Sequence, residues 1–377
     1  MILKTLSYKE FPETNPRYWE LEKFELGHVN LFVGSNSAGK SRTLNLINGL
    51  SRILQSPTFS FVEGTFDVTF QKDKDLISFY LDIQKGIVMS EYFELNGVRK
   101  YLRDENGNGK IFNNNLGISL DFNIPKNQIL ATRRDSIQFP YLEDLYNWSS
   151  NVRHFRFSMA QEKQTLALID SNSTTDESKI QNLTNQAIYI YRKGISEFSE
   201  EYQERVKDDF NAIGYKVSNI EVGELQSLKI DSPVGDKLHG LRVQESDRQG
   251  FTDQNEMSDG MFRALSLIIH FNYYQMTNLD LTVLIDDIGE GLDFERSTKL
   301  IRLAIERSVS SNIQLIMSSN DKFVLNNTKL EYWQILVRNG GTVSLYNHVN
   351  SREKFEEFKF LGLNNFDFFA TESFKDS

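Results

Sequence analysis

The sequence has no cysteine among its 377 residues, which removes disulfide frameworks, thiolate zinc sites and cysteine nucleophiles together. Its five histidines leave little for metal catalysis. It also lacks any apolar run near the ~20 residues that a membrane helix requires. Met1 to Phe11 carries Lys4, Lys9 and Glu10 in place of an apolar secretory core, so a cytoplasmic protein with no membrane segment is expected. Positive charge is in deficit. With 42 Lys and Arg against 52 Asp and Glu, the formal charge is −10. That argues against a surface given over as a whole to nucleic acid, because phosphate binding needs clustered Lys and Arg. One basic group remains: Arg133 and Arg134, then Arg153, His154 and Arg156, interleaved with Tyr141, Tyr146, Trp148 and Phe155. It reads either as a solvated face beside core aromatics or as a face for nucleic acid or a protein partner. The 39% hydrophobic content is ordinary for a globular chain, long enough here for one large core or two medium domains.

Met1 to Leu6, Trp19 to Leu26 and Val29 to Val33 read as strands, and the third runs into a glycine-bearing loop and then an amphipathic helix with Leu46, Leu50, Ile53 and Leu54 at helical spacing. From about Gly64 to Leu130 short β-rich runs alternate with turn residues, as in the ENGNG of Glu105 to Gly109, and predict an antiparallel meander. Tyr141 to Gly214 reads as helical, with a loop at Asp170 to Thr175 and the longest helix within Asp176 to Phe210. Its heptads are too irregular for a coiled-coil arm. Strands are expected at Lys216 to Val222, Ser227 to Ile230 and Leu241 to Val243, then a helix from Ser258 to Tyr274. Strand Leu281 to Ile285, helix Glu295 to Arg307 and strand Ile313 to Met317 follow, an alternation that predicts a parallel sheet with helices on its faces.

Gly34-Ser35-Asn36-Ser37-Ala38-Gly39-Lys40-Ser41 fits G-x-x-x-x-G-K-[ST], and it lies between a predicted strand and a predicted helix, as its mechanism requires. Glycines allow the backbone N–H groups to turn inward around phosphates, the helix N-terminus adds its positive end, and Lys40 neutralises the β and γ oxygens. Ser41 supplies a hydroxyl to Mg2+. Arg42 follows as a further candidate nucleotide contact. A second acidic element is Val283-Leu284-Ile285-Asp286-Asp287, an apolar strand ending in two carboxylates. Such an ending alone is more often a turn than a metal site, but in a chain with a phosphate loop it places an acid at the C-terminal edge of the sheet. Asp286 is the candidate on the Mg2+ side, through water. Asp287 is placed to polarise an attacking water, and Glu290 is a second candidate base.

Met257-Ser258-Asp259-Gly260-Met261-Phe262-Arg263 opens a helix, with Ser258 a good N-cap. The order of phosphate loop, S-x-G at a helix start, acidic strand and Gly291-Leu292-Asp293 resembles the ABC ATPase superfamily. The S-D-G-x-x-R wording is similar to its SMC and OLD-like branch of soluble AAA-family ATPases (AAA_21 or AAA_15-like), from Met1 to about Val337. The fold this implies is an α/β P-loop head with a parallel-sheet core, an antiparallel β subdomain and a helical insertion. Expected boundaries are 1–140 for an N-terminal lobe, 141–214 for the insertion and 215–377 for a C-terminal lobe.

The resemblance implies that ATP and Mg2+ are the cofactors and that Ser258, Asp259 and Gly260 meet the γ-phosphate held by a partner subunit, giving a homodimer across ATP. Leu292 and Asp293 would form the loop crossing that interface. The switch histidine of the family would follow Ile313 to Met317, where this chain reads Ser318-Ser319-Asn320-Asp321. Asn320 can hydrogen-bond a phosphate but carries no proton, so with Asp287 it implies slow hydrolysis. For the glutamine that reaches the metal, Gln138 is the candidate and Gln128 competes. Tyr18 or Trp19 are candidates to stack on adenine, or else buried strand aromatics.

The long stretch between Ser41 and Met257 leaves room for partner contacts. With no nuclease constellation in the chain, a separate effector, a nuclease or toxin, is expected, as in bacterial anti-phage systems that similar proteins serve. The leading expectation is thus an ATPase coupling nucleotide state to an effector. The rivals are an ATP-gated scaffold with negligible hydrolysis and a DNA repair or chromosome ATPase using the Arg133 to Arg156 patch. No N-K-x-D motif follows the phosphate loop, which counts against a GTPase.

Overall fold

The computed structural model describes residues 1–157, 167–169, 186–227, 237–359 and 363–374. In chain order, strands β1 (Ile2–Glu10), β2 (Trp19–Glu25) and β3 (Val29–Val33) lead to helix α1 (Lys40–Ile53). The meander follows as β4 (Gly64–Lys72), β5 (Asp75–Gln84), β6 (Ile87–Leu95), β7 (Val98–Arg103), β8 (Asn108–Asn113) and β9 (Ile118–Asn123). Helix α2 (Leu142–Ser150) and strand β10 (Val152–Arg156) come next, then β11 (Ala167–Ile169), α3 (Gln186–Ala212), β12 (Val217–Glu224), β13 (Lys237–Glu245) and β14 (Thr252–Asp253). The last part contains α4 (Asp259–Thr277), β15 (Leu281–Asp286), α5 (Phe294–Val309), β16 (Ile313–Ser318), α6 (Lys322–Asn327), β17 (Trp333–Asn339), β18 (Thr342–Asn347), α7 (Arg352–Lys359) and α8 (Asn365–Ala370).

These elements form two compact units, each assembled from separated stretches: Met1–His154, Asp280–Ile285 and Gln314–Ser377 in the first, Phe155–Leu279 and Asp286–Ile313 in the second. The units group the chain by packing, whereas the expected lobes 1–140, 141–214 and 215–377 follow sequence order. A 14-stranded sheet runs in the order β10-β15-β16-β3-β17-β18-β2-β1-β4-β5-β6-β7-β8-β9. It is mixed: β16, β3 and β17 are parallel, as are β18 and β2, while β1 and β4 to β9 form an antiparallel meander continuous with them. Strands β3, β15 and β16 are buried at every position and are mostly apolar, as a sheet covered on both faces demands. In β4 burial alternates, with Phe66, Val68 and Phe70 inward. Leu44, Ile47 and Leu50 of α1 join these phenylalanines, Phe79, Phe93 and Trp148 of α2 in one core. Trp148 meets Phe70 at 4.7 Å and donates its indole N–H to Thr282 at 3.0 Å, which satisfies its one polar atom.

The helical reading of 141–214 missed β10, whose polar Arg153, His154 and Arg156 mask a five-residue strand at the sheet's edge, where the charge of Arg153 and Arg156 discourages further pairing. The loop at Asp170 to Thr175 and the strand from Ser227 to Ile230, Ser227 apart, lie outside the described residues. In the second unit α3 is the longest helix, broken at Ser199, whose φ of 54° and ψ of −134° are not helical. Its second half packs on α4, with the Tyr202 hydroxyl donating to the Ile269 carbonyl at 2.8 Å. Buried Asp209 receives Asn272 at 2.8 Å and Arg307 at 2.5 Å, tying α3, α4 and α5 together. Strands β11, β13 and β12 with β14 make a small antiparallel sheet.

Candidate functional site

The phosphate loop connects β3 to α1 in the first unit. Gly34 is required by close approach: a Cβ there would lie 2.8 Å from the Leu336 carbonyl oxygen of β17 and 3.0 Å from Ala38. Gly39 has φ 109°, a left-handed conformation that a side chain resists, and Ser37 has φ 66°. The Ala38 N–H donates to the Ser35 carbonyl, closing the turn. Lys40 is buried, and its ammonium donates to the carbonyls of Gly34 at 2.8 Å and Ser35 at 3.2 Å, so the cation sits at the centre of the loop. Helix α1 starts at Gly39 with no side-chain cap and no acid in its first turn. Its positive end faces the loop with no acid from its own first turn, and the donor set suits a polyphosphate.

Asn320 reaches this loop. Strand β16 lies beside β3 in parallel register, and the chain leaving it brings the Asn320 amide to 2.9 Å from the Asn36 side-chain oxygen. Asp321 then caps α6, accepting from Phe323 and Val324, which fixes the turn bearing Asn320. Arg42 points elsewhere: its guanidinium lies 4.2 Å over the Trp19 ring and 2.5 Å from Glu10. Trp19 is a buried strand aromatic against Tyr8, which removes it as an adenine platform, and Tyr18 bonds to Glu20 and packs beside Gly341.

Asp286 ends β15, is buried, and its carbonyl accepts from the Phe157 N–H at 3.0 Å. The next residues form a tight turn. Asp287 has φ 55°, Gly289 95° and Gly291 81°, and the N–H groups of Glu290 and Leu292 bond back to Asp287 and Gly289. Asp, with Asn, is among the non-glycine residues that enter the left-handed region most readily, which suits Asp287 to this turn. Glu290 is exposed on the same turn.

In the second unit this turn meets the helix start at Ser258. The Ser258 hydroxyl accepts from the Met261 N–H at 3.2 Å, confirming the cap. Gly260 lies against the turn: a Cβ would be 2.3 Å from the Gly291 carbonyl oxygen and 2.8 Å from Leu292. Arg263 lies 3.9 Å from Asp259 on the next turn of the helix. Asp293 caps α5, accepting from the Arg296 N–H at 3.0 Å and its guanidinium at 2.8 Å. The backbone bond, foremost, holds the Asp293 carboxyl below its usual pKa. The structure thus brings Ser258, Asp259, Gly260, Gly291 and Asp293 into one cluster.

Gln138 is not brought to the phosphate loop. Its side-chain oxygen accepts from Asn113 at the end of β8 and its amide donates to Asp135, while β8 stands nine strand positions from β3 in the sheet. Its competitor Gln128 is tied down by its backbone carbonyl, which accepts from buried Arg103 at 2.5 Å. Two members of the basic group are engaged within the chain. Arg134 pairs with Glu143 at 2.7 Å and covers Tyr146 at 3.5 Å, while Arg153 is turned onto the Ser150 carbonyl. Sequence reading missed Tyr215 and Arg296. Arg296 lies 4.5 Å over the Tyr215 ring.

No described helix is long and apolar enough to cross a membrane. The chain matches the AAA_21 family, described as "AAA domain, putative AbiEii toxin, Type IV TA system", over residues 29–326. No curated protein matches it. Among solved structures it is similar to "Crystal structure of the SmcHead bound to the C-winged helix domain of ScpA", at 12% identity and TM-score 0.53, covering 92% of this chain and 97% of that one. It is also similar to "Crystal structure of the Smc head domain with an extended coiled coil bound to the C-terminal domain of ScpA derived from Pyrococcus furiosus", at 12% identity and TM-score 0.51, covering 95% and 99%. At that identity the likeness establishes the architecture, a mixed α/β head with a large mixed sheet and an antiparallel part. The chain belongs to the AAA_21 family, and is an ATP-binding, ATP-hydrolysing P-loop protein with the fold of an SMC head.

Proposed function

We propose that the chain binds Mg-ATP on Gly34 to Ser41 and closes it against the Ser258 to Gly260 loop of a second copy. The observation that carries this reading is convergence on one loop: Lys40 at its centre and Asn320 at its rim, 2.9 Å from Asn36, both within reach of a γ-phosphate. In this mechanism the loop N–H groups and α1 orient the phosphates, and Lys40 exchanges its carbonyl partners for phosphate oxygens. Ser41 and Asp286 would hold Mg2+, which would supply neutralisation of the phosphate charge. Asp287, or Glu290 beside it, orients the attacking water. Asn320 steadies the γ-phosphate by hydrogen bonding and takes no proton, so turnover is slow. Ser258 and Gly260 of the second copy complete the shell, making dimer opening the mechanical result of hydrolysis.

The output is passed to a separate protein, a nuclease or toxin in an anti-phage system. Two of the structures similar to this one were solved with a bound ScpA domain, which supports a partner on this fold. DNA is disfavoured as that partner by the pairing of Arg134 with Glu143. Light scattering with Mg2+, with and without ATP, tests the reading. Wild type is expected to double in mass with ATP, while Lys40→Ala and Ser258→Arg remain at the starting mass. Variants that respond like wild type would refute it.

A further inference from the structure

We propose that Asn365 of α8 is a positioning residue that holds Asn320 at the rim of the phosphate loop. The inference rests on the γ-phosphate contact proposed above for Asn320 and adds a residue outside every motif. Asn320 stands between β16 and α6, and Asp321 caps α6 through the Phe323 and Val324 N–H groups, so Asn320 moves with that helix. Helix α6 has only six residues, too few to be stable alone, and its place is set by what it packs against. Val324 and Leu325 bury one face of it. Its far end is held by α8. The Asn365 amide donates to the Thr328 carbonyl at 2.8 Å and, at 3.5 Å, to that of Leu325. The Asn326 side-chain oxygen accepts from the Phe366 N–H at 2.8 Å, and the Lys322 ammonium lies 5.3 Å over the Phe366 ring. The buried Trp333 indole also donates to the Thr328 carbonyl, at a longer 3.3 Å.

Helix α8 is a firm support. Phe368 is fully buried, with its ring centroid 4.7 Å from Phe355 and from Phe358 of α7 and 6.0 Å from Phe374. Phe374 in turn meets Tyr346 of β18 at 5.4 Å. The hairpin of β17 and β18 places Leu336 against Gly34, so the start of the phosphate loop and Asn320 at its rim both refer to one aromatic cluster. All of these residues belong to the first unit. The chemistry needs such a support. Asn320 carries no charge to draw it to a phosphate and acts by hydrogen bonding alone, which weakens steeply with distance and angle. A displacement on the order of 1 Å would forfeit most of its contact. Asn365 thus acts through Asn320 and not on the nucleotide itself.

Asn365→Ala tests this beside Asn320→Ala and the double variant, each titrated as dilute protein in Mg2+ with a non-hydrolysable ATP analogue and with ADP. ADP has no γ-phosphate and serves as the internal control. Asn320→Ala is expected to bind the ATP analogue about tenfold more weakly, as befits a lost hydrogen bond to a charged group. Asn365→Ala should lose about three- to tenfold, keep wild-type affinity for ADP, and melt within about 2 °C of wild type. In the double variant the second change should add nothing. Asn326→Ala, which deprives the Phe366 N–H of its acceptor, is expected to reproduce the pattern and stands in if Asn365→Ala does not fold. A merely structural role predicts equal weakening of the ATP analogue and ADP, or losses that add in the double variant, and either result overturns the inference. Wild-type affinity in Asn365→Ala and Asn326→Ala, with Asn320→Ala impaired, overturns it too but spares the reading of Asn320. If Asn320→Ala itself binds the ATP analogue as wild type does, both fall.

Discussion

Gly260→Ala adds one methyl group at the point where the signature helix start and the turn after β15 touch. The new Cβ would lie 2.3 Å from the Gly291 carbonyl oxygen and 2.8 Å from Leu292, distances that real Cβ atoms do not tolerate. The nearer obstacle is backbone, in a turn already fixed by positive φ at Asp287, Gly289 and Gly291, so rotation of a side chain cannot relieve it. Overpacking of this kind costs about 1–3 kcal/mol. In a chain of this size that lowers the melting temperature by roughly 1–4 °C. Gly27→Ala is the matched control, since its Cβ would meet the nearest atom at an ordinary 3.6 Å. Differential scanning calorimetry of both variants without nucleotide measures the effect, and ATP-driven mass measures its consequence. Gly260→Ala is expected to melt lower than Gly27→Ala and to lose dimerisation, because Ser258 and Asp293 can no longer hold their present positions together. Equal melting of the two variants would refute the reasoning.

Asp287→Asn should keep the turn, since asparagine accepts the left-handed φ of 55° at least as well, while removing the carboxylate. Phosphate release is expected to fall at least tenfold with no loss of melting temperature. Asp293→Ala should cost about 1 kcal/mol as a lost helix cap, and Asp293→Asn much less. Because the folded Asp293 carboxyl titrates below its ordinary 3.8, its contribution is present above that pH and is lost as pH falls through the folded value. The gap in stability between wild type and Asp293→Ala, measured by urea unfolding, should therefore narrow only on strong acidification. Gln138→Ala should leave ATP binding and hydrolysis at wild-type levels, because the side chain is engaged by Asn113 and Asp135; a loss of metal-dependent activity would show that it relocates.

What could be read in advance follows a physical divide. The phosphate loop, β3 and α1 were legible because their chemistry requires contiguous residues: glycines where the chain must turn, and lysine where charge must be met. The Ser258 cap and the buried strands β15 and β16 were legible for the same local reason. Pairings between distant segments were not. Hairpin β17–β18 is inserted between β3 and β2 and places Leu336 against Gly34, yet its sequence carries only a turn at Asn339 to Gly341. Strand β10 was hidden by its charges. Gln138 was chosen by motif order alone, and nothing near it in sequence announces that Asn113 and Asp135 claim its amide. Tyr215 is conspicuous only once Arg296 and Phe210 are seen on its two faces.

The central claim, that one copy supplies Lys40 and another supplies Ser258 to the same ATP, is tested most directly by mixing two inactive variants. Lys40→Ala and Ser258→Arg should each release phosphate no faster than background. In an equimolar mixture neither variant dimerises with itself, so the dimers that form are mixed and each contains one intact site of two, and up to about half of wild-type activity should return. Recovery near that level supports the sandwich. No recovery at any ratio, with both variants folded, would contradict it.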